Sequence, residues 1–268
     1  EQISDYTGSG PFVFLKDQWK PGDKAVFAKF AKYKPRNEPG DGLAGGKHVH
    51  VDKVVWKVIR DAQTKMNALS KGEIDVIETP SHDLLPLMEK DPNIKLQDLN
   101  PFGNQYTFRF NHLHPPFDNP KVRQALLYAF NQEDFVQSTV GNAKYYKLCK
   151  AMFICGTPLA TNAGFEDKLE SNFKKARQLI KEAGHEGSEV LIMHPTDLAI
   201  LGNLVPVAKS LMEKVGLKVT MVAMDWQTLV GRRNKRDKVA DGGWNAFITS
   251  WNSVDNASPL TTPFLNAA

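Results

Sequence analysis

The most constraining feature of this chain is the alternation that begins at Glu189. "EVLIMH" is a short apolar run that reads as a buried strand, and "NLVPVAKSLMEKVG" follows with helical spacing, slightly disturbed by Pro206. "LKVTMVAMD" is a second strand, "WQTLVGRRN" a short helix and "WNAFITSW" a third strand. The order β, α, β, α, β predicts a mixed α/β layer whose strand ends form a crevice. The last strand starts as the apolar run Ala246, Phe247, Ile248, then breaks into Trp251, Asn252, Ser253 and Asp255 before Pro259 closes it. A large aromatic and a carboxylate stand just where a core strand ends.

Upstream, "PFVFLKDQW" and "KAVFAKFAKY" alternate apolar and polar residues around the turn "KPGDK" and predict a hairpin. "HVDKVVWKVIRD" is a further strand, followed by a short amphipathic helix over "AQTKMNALSK" that ends at Gly72. "EIDVIE" and "NIKLQDLN" read as strands, with "SHDLLPLMEKD" between them as a helix capped by Ser81. Tyr106, Phe108 and Phe110 alternate with Thr107 and Arg109 in a strand, and Asn119 and Pro120 open a strong helix with Val122, Ala125, Leu126 and Ala129 on one face. An irregular stretch runs through the cysteines to a helix, "NFKKARQLIKEAG", with Asn172 as its cap and Gly184 at its end.

Several function classes find no support. No apolar run approaches the ~18 residues a membrane-spanning helix needs. The net charge of +4 is spread over 34 basic and 30 acidic residues, too even a balance to demand a nucleic-acid partner. The densest basic run, "GRRNKRDK", reads as a solvated helix end and loop, with no aromatic interleaved for base stacking. There is no GxGxxG after a strand, no Walker A loop, no HExxH and no GxSxG elbow. His48 with His50, and His112 with His114, form HxH pairs that could each present two ligands, but one pair cannot complete a metal site. The residues read as a binder rather than an enzyme, with no cofactor. Cys149 and Cys155 are spaced for neither a redox CxxC nor zinc, which leaves two buried thiols or a small disulfide loop that needs an oxidising compartment.

Five segments in order carry a resemblance to a known family. They are "GSGPF", "VVWKVIRDAQTKMNALSKGEIDVI", "FNHLHPPFDNPKVRQALLYAFNQEDFV", "KKARQLIKEAG" and "LMEKVGLKVTMVAMDW". Together they resemble the family 5 extracellular solute-binding proteins, the dipeptide-, oligopeptide- and nickel-binding components of bacterial ABC importers. The resemblance implies an α/β fold, periplasmic binding protein type II-like, with partial lobe I plus most of lobe II. Residues 1–102 would be a lobe I segment, 103–105 the crossing between lobes and 106–268 a C-terminally truncated lobe II. The chain, with no signal peptide at its start, is expected to be the middle of a longer protein.

The same resemblance implies a periplasmic monomer that binds a peptide or small molecule and passes it to an inner-membrane ABC permease, without nucleic acid. It favours the Cys149–Cys155 disulfide, since the periplasm is oxidising. Trp251 resembles the family's pocket tryptophan, Asp255 the aspartate that holds a peptide's amino group, and Trp226 a second pocket aromatic; Asn252 lies beside them. The competing readings are plain core for the two indoles and a turn cap for Asp255. Asp255 stands one residue further from its tryptophan than in the dipeptide binders. Ile248 and "HPTDLAIL" occupy the regions where those binders carry arginines for the peptide carboxylate. With Asp197 as a second acidic group, an amine-bearing ligand is expected. The alternatives are a metal- or haem-binding member of the same fold through the HxH pairs, or an unrecognised hydrolase.

Overall fold

The computed structural model describes residues 5–41, 44–260 and 262. The chain divides into two compact units, Glu1–Pro80 and Ser81–Ala268. In the first unit β1 (Phe12–Phe14), β2 (Lys24–Lys29) and β3 (Lys53–Lys57) form an antiparallel sheet in that order, with Val13 opposite Ala28 and Val26 opposite Val55. The expected hairpin turn is present, and Gly22 supplies its positive φ of 75°. Helix α1 (Ala62–Ser70) starts at Asp61, whose carboxylate accepts from the Thr64 N–H at 2.7 Å, and ends before Gly72 at φ 71°. "EIDVIE" is not a strand: the Glu73 and Ile74 amides both donate to Ala68 O, closing the helix end instead of joining a sheet.

The second unit opens with two further departures from the sequence reading. The expected helix over 81–91 is a 3-10 turn, His82–Leu84, followed by a single α turn, α2 (Leu85–Met88), and the Ser81 side chain makes no cap bond. Pro86 has no N–H to donate and its ring collides with the carbonyl one turn back, so a longer regular helix cannot pass through it. "NIKLQDLN" is not a strand either; the Ile94 amide turns back onto Asp91 O and no strand among the described residues pairs with the segment.

The remaining elements are β4 (Asn104–Phe110), α3 (Pro120–Ala129), α4 (Gln132–Thr139), α5 (Phe173–Glu182), β5 (Glu189–Pro195), α6 (Ala199–Gly202), α7 (Leu204–Lys214), β6 (Lys218–Met224), α8 (Trp226–Arg233) and β7 (Ala246–Asn252). Asn119 and Asn172 cap α3 and α5 through their side chains, as the sequence predicts. Helix α4 falls in what reads as irregular sequence; Asn131 caps it by accepting from the Glu133 amide, and Phe135 anchors it in the core. Gln132 in its first turn also binds both backbone groups of Cys149, at 2.7 and 2.9 Å, and Cys149 is disulfide-bonded to Cys155.

The sheet runs β4-β7-β5-β6, with β5 parallel to β6 and β7, and β4 antiparallel to β7. Strand alternation splits it into two faces. Val190, Ile192, Ala246 and Ile248 join the larger core, which contains residues of α3, α5 and α7 such as Leu126, Ile180 and Met212. Met193 and Phe247 point the other way, into a smaller cluster with Leu229 of α8 and Trp244. The apolar runs in β5 and β7 are continuous because both faces are covered. One geometric consequence sets up the site: the carboxyl ends of β5, β6 and β7 and the amino end of β4 lie along one edge of the sheet.

Candidate binding edge of the sheet

The five residues singled out from sequence as ligand-binding lie at or just beyond this edge. Asp197 is two residues past the end of β5, and Trp226 two past the end of β6. Trp251 and Asn252 are the last two residues of β7, and Asp255 lies in the 3-10 turn Ser253–Asn256 that follows.

Asp197 and Trp226 are brought into direct contact: Asp197 Oδ1 accepts from the Trp226 amide at 2.8 Å. That amide is the first of helix α8. Asp225 caps the same helix end, taking the Thr228 amide at 2.9 Å on Oδ1 and the Thr228 hydroxyl at 2.6 Å on Oδ2. Two carboxylates thus stand where the helix dipole and its unsatisfied N–H groups favour negative charge. The Thr228 hydroxyl and amide hold the Asp225 carboxyl below the ordinary aspartate range. The Trp226 ring is half-buried and packs against both core clusters.

Trp251 is half-buried and sits opposite Gln105 in the β4–β7 register, on the sheet face shared by Phe247 and Thr249. Asn252 is exposed at the strand end. The Asp255 side chain does not hold its turn. The Ala257 amide bonds Val254 O, and the Thr262 hydroxyl bonds Asp255 O at 3.0 Å and Ser258 O at 2.9 Å. The exposed Asp255 carboxylate takes no hydrogen bond from the described residues.

Asn256, which sequence reasoning passed over, and the Ser253 backbone seat this turn. Asn256, fully buried, donates from Nδ2 to Gln105 Oε1 at 2.7 Å, and the Ser253 amide bonds Gly103 O at 3.0 Å. The turn after β7 is therefore clamped to the start of β4. Only the register of a non-local strand pair brings these partners together, and a polar "SVDN" run carries no sign of it.

The local charge is one-sided. The segments 104–105, 195–198, 224–227 and 251–256 contribute Asp197, Asp225 and Asp255 and contain no Lys or Arg. Such an edge favours cations over anions. Among the described residues no group of three or more His, Cys, Asp or Glu stands in a metal-holding arrangement. Of the HxH residues, His114 pairs through Nε2 with Arg236 O at 2.8 Å, and burial together with the Arg123 and Arg109 charges pushes His112 down. Two surface hollows lie away from the strand ends. One, of about 390 Å³, is lined by Asp118, Asn119, Pro120 and His185; the other, of about 670 Å³, lies between α4 and α7.

Comparison with known proteins places the chain. The sequence profile described as "Bacterial extracellular solute-binding proteins, family 5 Middle" matches residues 2–267. A Sinorhizobium fredii protein named "Probable peptide ABC transporter periplasmic-binding protein y4tO" is 43% identical over 97% of this chain and 50% of its own length. The Pseudomonas aeruginosa "Di/tripeptide-binding protein 1" is 28% identical over 94% of this chain and 43% of its own. The chain thus spans about half the length of the curated relatives it matches. Among solved structures, the periplasmic binding protein DppA of Helicobacter pylori, in complex with the peptide STSA, superposes with a TM-score of 0.73 at 23% identity over 95% of this chain and 44% of DppA. The binding protein AgaA from Agrobacterium tumefaciens R10, in complex with agropinic acid, gives a TM-score of 0.70 at 23% identity over 90% of this chain and 45% of AgaA. At that identity the likeness establishes the fold, the α/β periplasmic binding protein architecture expected from the sequence. With a family match over nearly its whole length, this chain belongs to the bacterial extracellular solute-binding proteins of family 5.

Proposed function

We propose that this chain is the middle part of a periplasmic solute-binding component of an ABC importer. In this reading it captures a peptide-like or small amine-bearing ligand between two lobes and delivers it to an inner-membrane permease, without chemical change to the ligand. Residues 1–102 belong to lobe I, 103–105 cross between lobes, and 106–268 form lobe II. The protein acts as a monomer and without nucleic acid. Relatives named as peptide-binding proteins support the ligand class.

The observation that carries the proposal is the composition of the sheet's carboxyl edge: two half-buried indoles and three carboxylates with no cation among them. Trp226 and Trp251 supply apolar area at low entropic cost. The Asp255 carboxylate, with no partner among the described residues, anchors the ligand's ammonium group by a charge-assisted hydrogen bond, while Asn252 beside it offers an amide to the ligand's polar groups. Asp197 contributes its remaining lone pairs and keeps Trp226 in place through the 2.8 Å bond.

Native mass spectrometry of the full-length protein should reveal a co-purifying amine-bearing small molecule or short peptide. Titration calorimetry with that molecule should then give a Kd about 10- to 100-fold weaker for Asp255→Ala, the loss expected for a charged hydrogen bond of roughly 1.5–3 kcal/mol. Unchanged affinity would remove Asp255 from the site, and a bound ligand lacking any cationic group would refute the ligand class.

A further inference from the structure

The turn that carries Asp255 is fixed on both sides of that residue. Two positions before it, the Ser253 amide donates to Gly103 O at 3.0 Å. One position after it, Asn256 Nδ2 donates to Gln105 Oε1 at 2.7 Å. The Asp255 carbonyl itself accepts from the Thr262 hydroxyl at 3.0 Å. The receiving end is fixed as well. Gly103, at φ 67°, closes a turn in which its amide donates to Asn100 O at 2.7 Å, and its carbonyl takes a second donor, Asn100 Nδ2, at 2.9 Å. Gln105 lies opposite Trp251, so the clamp joins β4 and β7 one rung from the end of β7.

Asparagine at position 256 carries a penalty. Ser253, Asn256 and Thr262 are 5%, 0% and 1% exposed. Asn256 Oδ1 is buried and finds no donor among the described residues. An apolar side chain of similar size would fill this space with no unsatisfied acceptor. What the amide adds is a directed bond from the turn to β4. The Asp255 carboxylate, by contrast, is exposed and takes no hydrogen bond from the described residues. Its place at the edge is therefore set by the backbone on either side of it, and Asn256 is the next residue along.

We infer that Asn256 is a positioning residue for ligand capture. Through Gln105 it holds the Asp255 carboxylate where it meets the ammonium group of a peptide, so that binding does not have to order the turn. The inference rests on the reading of Asp255 as the anchor of that group. Ordering the backbone of a single residue on binding weakens affinity about 5- to 30-fold. A turn fixed beforehand spares the complex that loss. The benefit is confined to the ammonium group, because only a group that meets Asp255 depends on where its carboxylate stands.

Titration calorimetry of the full-length protein tests this with two probes, the tripeptide Ala-Ala-Ala and its N-acetylated form, which lacks the ammonium group. The parent should prefer the free amine, and Asn256→Ala should shrink that preference by about fivefold or more. General damage to the fold would weaken both peptides alike, so a preference that survives Asn256→Ala overturns the inference while leaving Asp255 as the anchor. In the Asp255→Ala background, Asn256→Ala should leave the ratio of the two affinities unaltered, and a further fall there would also overturn it. A parent that shows no preference for the free amine, whether it binds both peptides or neither, would refute the anchor reading and the inference with it. Hydrogen exchange without ligand supplies the second readout. The Ser253 amide should exchange roughly 2- to 13-fold faster in Asn256→Ala and at the parental rate in Gln105→Glu, which keeps an acceptor for Nδ2. An unchanged rate in Asn256→Ala would show that the side chain does not hold the turn. Should Asn256→Ala fail to fold, Gln105→Ala removes the same bond from its half-buried side and should give the same reduced preference and the same faster exchange.

Discussion

Asn245 joins the two strands that define the binding edge, and its removal tests that role. It is 2% exposed and precedes β7. Its Oδ1 accepts from the Leu191 amide of β5 at 2.8 Å, and its Nδ2 donates to Pro115 O at 3.0 Å. Its own carbonyl also accepts from the Asn111 amide at 2.8 Å, extending the β4–β7 ladder by one rung. The side chain thus supplies an acceptor to β5 where the β5–β7 pairing begins. Asn245→Ala deletes both side-chain bonds but leaves the backbone rung. The Leu191 N–H, inside the sheet, is left without an acceptor at about 1–3 kcal/mol, and the bond to the more exposed Pro115 carbonyl adds about 0.5–1.5 kcal/mol. The expected loss is about 3 kcal/mol, which for a unit of this size lowers Tm by roughly 6–12 °C. Urea unfolding followed by far-UV circular dichroism would measure it, with the m-value checking that the unfolded surface is unchanged. A loss below about 1 kcal/mol would mean that water satisfies Leu191 N–H as well as Asn245 does, and the role assigned to the side chain would be wrong.

Two further perturbations follow from the same structure. Cys149–Cys155 closes a loop with a sequence separation of 6; on the chain-entropy account its reduction should cost about 2 kcal/mol, so melting with and without a reductant should differ by roughly 4–8 °C, and identical curves would show the link to be thermodynamically idle. The Asp225 carboxyl is depressed by Thr228 in the folded state, so its contribution is complete above the ordinary aspartate range and is lost as pH falls through the lower folded value. Asp225→Asn should therefore lower stability at neutral pH while flattening the decline below about pH 4, measured by chemical denaturation across pH; an unaltered acid limb would contradict the assigned cap.

Much of the second unit is legible in its residues because the signals are local. Asn119 with Pro120, and Asn172 with Gly184, mark helix ends through groups that act within one turn. The runs at 189–195, 218–224 and 246–252 are strands as expected, since hydrophobic runs of that length bounded by amphipathic helices have one efficient way to be buried. "EIDVIE" and "NIKLQDLN" look equally strand-like and are not strands, because a strand exists only where another strand offers its backbone. Helix α4 is missed for the converse reason: eight polar-rich residues gain their helix from Phe135 entering a core built elsewhere in the chain.

The candidate site divides along the same line. Its membership, Asp197, Trp226, Trp251, Asn252 and Asp255, follows from position just past predicted strands and from family likeness. What each side chain does there depends on partners distant in sequence. The carboxylate of Asp197 meets the Trp226 amide across 29 positions, and Asn256 meets Gln105 across 151. The sequence by itself determined α3, α5, α7, β5, β6 and β7 and the residues at their ends, because propensity, capping and burial period act over a few neighbours. Only the tertiary structure decided that β7 lies between β4 and β5, that Asp197, Asp225 and Asp255 come to one edge of the sheet, and that Asp255 is left exposed while the Thr262 hydroxyl bonds its carbonyl. Strand order and register are chosen by the packing of the whole unit, and no short stretch of sequence carries them.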